Sequence, residues 1–414
     1  MELLCLNNVL PDVELPLFQR QGMYEVFTNK RMLLAFDTGT GKTFTYAGIV
    51  RGLVNKNPEG KHILVIINES MSQVPEDVRV LTGSRVEAFD GTEASVGHLR
   101  FWWKRCSVFC LTYEAFRQPE IVEFLFSVLP EIDSFVIDEA HHCSNFDVSD
   151  TAFMIRSFVQ WIPYAVALTA TPITRESKQY FRLMNLLDRN ISMHRDERFR
   201  GSYIERYMAV NRDDYDIKGT YTTTLVKVTP TLDQIQPQHG IVFRKLKGTG
   251  AVNQAKALVD VVRTRLEQDK TIIVYVHYHD SRQWIESHLR EAGIPFTSVH
   301  GRITKKADRQ TALQRFMTGE VRVIITSVTE SLNIEADVVV FYEFTTLVKQ
   351  VMGRAHRGLN PKDLELVFLI TENSDEVDYF LKYIYKRSIT IQRLLGKDYS
   401  ELIALGREVK KLEL

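Results

Sequence analysis

Short apolar runs alternate with segments of helical period along most of this chain. In the first half the runs are Met32–Phe36, Ile63–Ile67, Val108–Thr112, Ser134–Asp138 and Ala165–Thr169, several of them rich in β-branched residues. Runs that are mostly apolar, without polar alternation, fit strands buried on both faces. Between them, Thr43–Leu53 and Ala152–Gln160 have the spacing of helices packed on one face. Strands that alternate with helices predict a doubly wound parallel sheet. A polar, charged stretch from Ile191 to Thr249 interrupts the pattern, which then resumes. Strands are expected at Thr271–Val276, Phe296–Val299, Val321–Thr326, Val338–Tyr342 and Leu366–Ile370. Helices are expected at Val252–Gln268, Ser281–Ala292 and Lys306–Thr318. The predicted organisation is a first α/β domain at 1–215, a connecting segment at 216–250, a second α/β domain at 251–375 and an amphipathic helical tail at 376–414. The connection is expected to hold some strand structure at Thr222–Val228.

Composition narrows the class without naming it. The 414 residues are 44% hydrophobic, an ordinary share for a globular protein. No apolar run reaches the roughly 18–20 residues that a membrane-spanning helix needs. The N-terminal segment is acidic and lacks a basic start, so no secretory signal is expected. The expected compartment is therefore the cytoplasm of a bacterium or a virus-infected host cell, or the nucleus of a eukaryote. Cys5, Cys106, Cys110 and Cys143 form no C-x-x-C pair and read as small buried residues. His141 and His142 are adjacent, which is not a metal-ligand spacing. Net charge is zero, but the first 220 residues carry an acidic surplus and the remainder a basic one. Any basic patch for nucleic acid is expected in the second half.

The run LLAFDTGTGKTF, Leu33–Phe44, leads an apolar strand into a Gly-rich turn and then a helix. Gly39 and Gly41 allow the backbone to bend and turn its N–H groups toward phosphate oxygens. Lys42 brings a positive charge to the β- and γ-phosphates, and the Thr43 hydroxyl suits Mg²⁺. The helix start adds its dipole to the same anion site. Phe36 stands where the strict pattern has Gly. Downstream, FVIDEAHH at Phe135–His142 ends a buried strand in two carboxylates, at the edge where open α/β sheets bind ligands. Asp138 would hold Mg²⁺ and Glu139 would polarise the attacking water. VALTATP, Val166–Pro172, places Thr169 and Thr171 at another strand end. QVMGRAHRG, Gln350–Gly358, sets Arg354 and Arg357 three residues apart, as arginine fingers for a γ-phosphate would be.

DTGTGKT, DEAH, TATP and QVMGRAHR, in this order, resemble motifs I, II, III and VI of superfamily 2 helicases and translocases. The resemblance spans roughly residues 15–372 and is closest in character to the Snf2/Rad54 group, in a compact form like phage branch-migration enzymes. AFDTGTGKT at Ala35–Thr43 is similar to that group's A-D-E-M-G-L-G-K-T. LPLFQRQG at Leu15–Gly22 resembles an opening motif whose glutamine, here Gln19, recognises adenine. CLTYEAFR at Cys110–Arg117 resembles motif Ib, Thr271–Gly301 resembles motif IV, and SLNIEAD at Ser331–Asp337 resembles motif V. Thr329, Glu330 and Ser331 depart from the glycines of that last motif.

This resemblance implies two tandem RecA-like domains, α/β with doubly wound parallel sheets, and an ATP cleft between them. It implies an ATP set of Gln19, Thr38, Gly39, Thr40, Gly41, Lys42, Thr43 and Gln350, with Thr43 and Asp138 on Mg²⁺. Catalysis would fall to Lys42, Asp138, Glu139, Arg354 and Arg357. Candidate nucleic-acid contacts are Thr112, Tyr113, Arg117, Arg302, Lys305, Lys306 and Ser327. The expected activity is an ATP-dependent translocase or helicase on duplex or branched DNA, acting as a monomer without a membrane. The alternatives are an ATPase switch that does not translocate, an RNA-directed helicase, and a catalytically dead paralogue. The intact Lys42, Asp138, Glu139, Arg354 and Arg357 argue against the last.

Overall fold

In the computed structural model, every apolar run named above is a strand. The structure describes residues 6, 9–10, 13–71, 73–174, 176–191, 207–210, 220–230, 252–300, 306–327, 334–345, 348–355 and 362–412. The chain divides into two units, residues 1–215 and 216–414.

The first unit runs α1 (Leu17–Asn29), β1 (Arg31–Phe36), α2 (Lys42–Lys56), β2 (Lys61–Ile66), α3 (Val74–Thr82), β3 (Val86–Phe89), α4 (Glu93–Trp103) and β4 (Val108–Thr112). It continues through α5 (Pro119–Ser127), β5 (Ile132–Ile137), α6 (Asp150–Val159), β6 (Tyr164–Leu168), α7 (Lys178–Leu187) and β7 (Tyr207–Val210). The strands lie in the order β3-β4-β2-β5-β6-β1-β7, and every pairing is parallel. Side chains alternate across this sheet. Leu34, Phe36, Leu64, Ile66, Val136 and Val166 pack on α1, α2 and α3. On the other face Phe135 meets Phe116 and Phe158, and Phe126 stacks on Phe158 at 4.1 Å between ring centroids. Thus both faces are covered, which is why the strands carry so little polarity. Cys106, Cys110 and Cys143 are buried free thiols, as expected; Cys5 lies outside the described residues.

β7 comes from within the polar stretch after Ile191. It pairs with β1 at the sheet edge, and the Asp37 N–H donates to the Val210 carbonyl at 3.1 Å. β3 was likewise not expected. Both strands are four residues long and only partly buried, so neither shows as an apolar run.

The second unit has strands β8 (Tyr221–Val228), β9 (Ile272–Tyr275), β10 (Thr297–Val299), β11 (Val323–Thr326), β12 (Val338–Phe341) and β13 (Leu364–Thr371), ordered β10-β11-β9-β12-β13-β8 and again all parallel. β8 falls within the segment expected to connect the two domains. It pairs with β13 along its whole length, so it is part of the second sheet. Its apolar residues gain burial through that neighbour and through the helices Val252–Glu267 and Ser400–Lys410 packed against it. Helices Val252–Glu267 and His279–Glu291 cover one face of this sheet through Leu258, Val262, Ile285 and Leu289. Across the other face Tyr275, Phe341 and Phe368 form a ladder that ends on Phe380, in the expected C-terminal tail. The tail is helical: Asp375–Tyr379, a π-helical stretch Phe380–Tyr385, then Lys386–Leu395 and Ser400–Lys410. It packs as a layer of the second unit. Among the described residues no helix is long and apolar enough to cross a membrane.

One buried polar pair crosses the first sheet. His62 on β2 is fully buried, and its Nδ1 lies 2.9 Å from the Ser134 hydroxyl on β5. Burial pushes the imidazole down to about 4, against the opposing charge of Asp133. The unfolded chain takes up this proton near pH 6.5, whereas the folded chain resists it. The stability that neutral His62 confers is therefore complete above about pH 6.5 and is lost as pH falls toward 4. A loss on the order of 3 kcal/mol is expected across that window. Urea denaturation of wild type and His62→Asn between pH 4 and 7 checks this; the variant should show the flatter profile.

Candidate active site

Strand order alone brings three of the four motifs together. β6 lies between β1 and β5, with Leu34 opposite Leu168 and Ile137 opposite Ala167. Because the strands are parallel, the turn after β1, the acidic pair after β5 and the threonines after β6 emerge side by side from one edge.

The turn after β1 has the backbone shape that an anion cradle requires. Gly39 and Gly41 have φ of 78° and 72°, left-handed values that other residues adopt at a cost. Gly41 caps α2 with no side chain on the first-turn N–H groups, and Lys42 is the first residue of the helix. The Thr40 hydroxyl donates to the Asp37 carbonyl at 2.7 Å and closes the turn. Gln19, on α1, is buried, and its Nε2 donates to the carbonyls of Thr40 (2.8 Å) and Gly41 (3.2 Å). A Cβ at position 41 would stand 2.6 Å from that same Nε2. Gln19 Oε1 is buried and has no hydrogen-bond partner. The expected adenine reader thus also braces the phosphate loop. Thr38, Gly39, Thr40, Gly41, Lys42 and Thr43 all lie on this turn and the first residues of α2.

Tyr46, one turn into α2, is fully buried beside the loop. Burial pushes its phenol well up, the Asp138 charge adds to the rise, and Thr43 opposes it. Thr43 and Asp138 therefore share one neighbourhood. A hydroxyl and a carboxylate are the hard oxygen donors that suit Mg²⁺, which keeps most of its shell as water and phosphate oxygen.

Glu139 is buried and sits at φ 48°, ψ 45°, a left-handed conformation uncommon outside glycine. Such outliers persist where surrounding bonds fix them. Here the Tyr113 hydroxyl donates to the carbonyls of Asp138 (2.7 Å) and Glu139 (3.3 Å). His141 Nδ1 lies 3.4 Å from Glu139 Oε2 and 3.2 Å from the Thr169 hydroxyl, and that hydroxyl accepts from the Thr171 N–H. The segment after β5 is thereby joined to the segment after β6. A second link runs through Gln179 on α7, whose amide nitrogen donates to Ser144 while its oxygen accepts from the backbone of Thr174 and Glu176. His141 and Gln179 were not among the expected site residues. The histidine was readable from its place in DEAH, whereas nothing in the sequence around Gln179 marks it.

Two expected nucleic-acid contacts need correction. Thr112 is fully buried; its hydroxyl donates to the Asp90 carbonyl and accepts from the Ala115 N–H. Tyr113 is buried under the Asp138–Glu139 turn. Neither presents a group to solvent, because each sits where β4 dives into a short 3-10 turn, Tyr113–Arg117. Arg117 is exposed and donates to Thr151 at 3.1 Å, and Ser327 is half-buried just after β11. Gln350, Arg354 and Lys306 fall in helices Val348–Ala355 and Lys306–Met317, but their side chains lie outside the described structure. Arg302, Lys305 and Arg357 lie outside the described residues, as do Thr329, Glu330 and Ser331. Helix Val348–Ala355 is anchored by Lys349, which donates to the Tyr221 hydroxyl at 2.6 Å and lies over the Tyr399 ring.

Known proteins share the fold of this chain. Residues 5–174 match the model described as type III restriction enzyme, res subunit, and residues 253–358 match the helicase conserved C-terminal domain. No curated protein matches the sequence significantly. Among solved structures, the Hef helicase domain of Pyrococcus furiosus superposes with a TM-score of 0.58 at 17% identity, over 88% of this chain and 97% of that one. The SWI2/SNF2 ATPase core of Sulfolobus solfataricus, solved in complex with dsDNA, gives a TM-score of 0.43 at 17% identity, over 97% of each chain. One helicase-related family model thus matches within each unit, and the two parallel-sheet α/β units resemble the RecA-like domains of helicases.

Removal of the Tyr113 hydroxyl isolates its part in this turn. Tyr113→Phe leaves the Asp138 carbonyl without its described side-chain partner, at an expected cost of about 1–3 kcal/mol. Urea denaturation measures it, and wild-type stability would show that the left-handed turn does not depend on this bond.

Proposed function

We propose that this pair of helicase-type domains is a nucleic-acid-dependent ATPase that moves along duplex or branched DNA. The observation that carries the proposal is the chain of contacts beside the Lys42 loop: His141 Nδ1 lies 3.4 Å from the Glu139 carboxylate and within hydrogen-bond distance, 3.2 Å, of the Thr169 hydroxyl. It ties the expected water-polarising carboxylate to a neighbouring strand end, so a change at the γ-phosphate has a route into the rest of the domain. In this reading the N–H groups of Gly39–Thr43 and the Lys42 ammonium hold the phosphates. Gln19 meets the adenine while bracing the loop. Glu139 orients and deprotonates the water, and Arg354 and Arg357 act as fingers on the γ-phosphate. Thr43 and Asp138 would hold Mg²⁺, which supplies charge neutralisation to the phosphate oxygens when bound. Arg117, Arg302, Lys305, Lys306 and Ser327 remain the proposed backbone contacts, which read phosphates and not sequence. Preference for duplex or branched DNA is supported by the Snf2-like residues Leu332–Asp337 and Ala355–Asn360.

Glu139→Gln keeps the shape and loses the base, so it should bind ATP and DNA and stop turning over. A folded variant that loses nucleotide binding would make Glu139 a structural residue. Arg357→Ala should lower kcat by about 10³-fold or more while changing KM little, since a finger acts mainly in the transition state. Unchanged turnover would remove Arg357 from the site.

The substrate is tested by ATPase rates with no nucleic acid, single-stranded DNA, duplex DNA, a four-way junction and RNA. Duplex or junction should stimulate most, and less as salt rises. Stimulation by RNA alone overturns the DNA assignment. Duplex-stimulated turnover without triplex displacement or junction migration favours a switch that does not translocate.

A further inference from the structure

The segment His98–Arg105, HLRFWWKR, packs three aromatic residues among three cations and a histidine. It forms the end of α4 and the turn into β4. Arg85, which immediately precedes β3, lies with its guanidinium 3.8 Å from the centre of the Trp102 ring, and Arg105 lies 3.9 Å from that of Phe101. Phe101 meets Trp102 edge-on, and 51% of its surface is open to solvent. Trp103 instead points inward, stacks on Phe109 and donates to Glu131. So one aromatic of the three serves the core, and two build a layered surface with arginine. Arg85, Arg100, Lys104 and Arg105 are all exposed. Among the described ion pairs, Arg85 alone of these four has a carboxylate, Glu87 at 3.2 Å.

The position of this surface separates it from the nucleotide site. Arg85 and Arg105 lie just ahead of β3 and β4, at the edge where the strands begin. The phosphate loop, the acidic pair and the threonines lie where β1, β5 and β6 end. A cluster of cations with few acids fits a polyanion. Aromatic rings and stacked guanidinium planes add a sequence-tolerant platform for unpaired bases, which a duplex would keep hidden.

We propose that the Arg85–Phe101–Trp102–Arg105 surface is a second nucleic-acid contact, taking an unpaired strand at the edge of the first sheet opposite the nucleotide loops. It rests on the nucleic-acid reading above and extends it from contacts with the backbone to a holder for a separated strand.

The test uses the full chain and a 30-nucleotide oligothymidylate carrying one 4-thiothymidine. Photocrosslinking followed by peptide mapping should place adducts within His98–Arg105. By fluorescence anisotropy, Phe101→Ala should weaken binding about tenfold and Phe101→Trp should restore it. The Arg100→Glu/Lys104→Glu pair should lower the salt slope of log affinity by about 1.4, two phosphate contacts' worth on a single strand. Neither side chain makes a described hydrogen bond, so folding should survive. ATP turnover without nucleic acid should be unchanged in all three variants. Adducts confined to other peptides, or affinity and slope unchanged, overturn the proposal. So does loss of polyglutamate binding without loss of oligothymidylate binding, which would mark an acidic protein partner. Failure of the ATPase reading would appear separately, as wild-type turnover in Glu139→Gln, with the adduct map unaffected.

Discussion

The first unit depends on the adjacency of three parallel strands, β5, β6 and β1. The chain leaves β1 and reaches β2 with two positions open between them, and β5 and β6 later fill those positions. Neighbouring strands lie about 4.8 Å apart, so the ends of β1 and β5 stand about 10 Å apart. That spacing is fixed by backbone hydrogen bonding and owes nothing to the site's own side chains. It holds because Leu33, Leu34, Val136, Ile137, Val166 and Ala167 are buried with essentially no exposed surface. A polar residue among them would lack a partner, and the motif loops would lose their common edge.

Side chains then turn adjacency into linkage. Tyr113 reaches from the end of β4 to the turn after β5. His141 reaches from that turn to the end of β6, and Gln179 reaches back from α7. Each bond runs between elements far apart in sequence, and each partner is buried or nearly so. In such a setting a lost partner costs more than the bond is worth in water, because the remaining group cannot be hydrated. The left-handed Glu139 is enclosed by this arrangement. Its conformation is sustained by neighbours on both sides and not by its own preference.

Much of the fold was legible because parallel strands buried on both faces leave long apolar runs with little competing polarity. Every strand expected from such a run is present, with ends displaced by a few residues at most. The short, half-buried edge strands Val86–Phe89 and Tyr207–Val210 left no such trace. Tyr221–Val228 was legible as a strand, but its place was not, since pairing with Leu364–Thr371 is a contact across more than a hundred residues. At the site, the tight turn at Gly39 and Gly41 was readable from the two glycines, and both have positive φ. Thr112 and Tyr113 were misread because a motif gives residue identity and not the direction of a side chain. Burial under the Asp138–Glu139 turn decides that. Gln179 was invisible for the same reason, since a glutamine on a helix is ordinary until its partners are known.

The pairing of β7 with β1 also has a mechanical reading. β7 ends at Val210, a few residues before the boundary between the two units, and lies at the edge of its sheet with β1 as its one described strand neighbour. Its last hydrogen bond is made to Asp37, the first residue beyond β1. Tension applied at Val210 would therefore load that bond before the other described bonds of β7. A parallel pair pulled along its length resists in shear, with several bonds sharing the load, whereas one peeled from its end yields bond by bond. The direction of pull on Val210 thus sets whether the first residue of the turn after β1 is loaded in shear or by peeling.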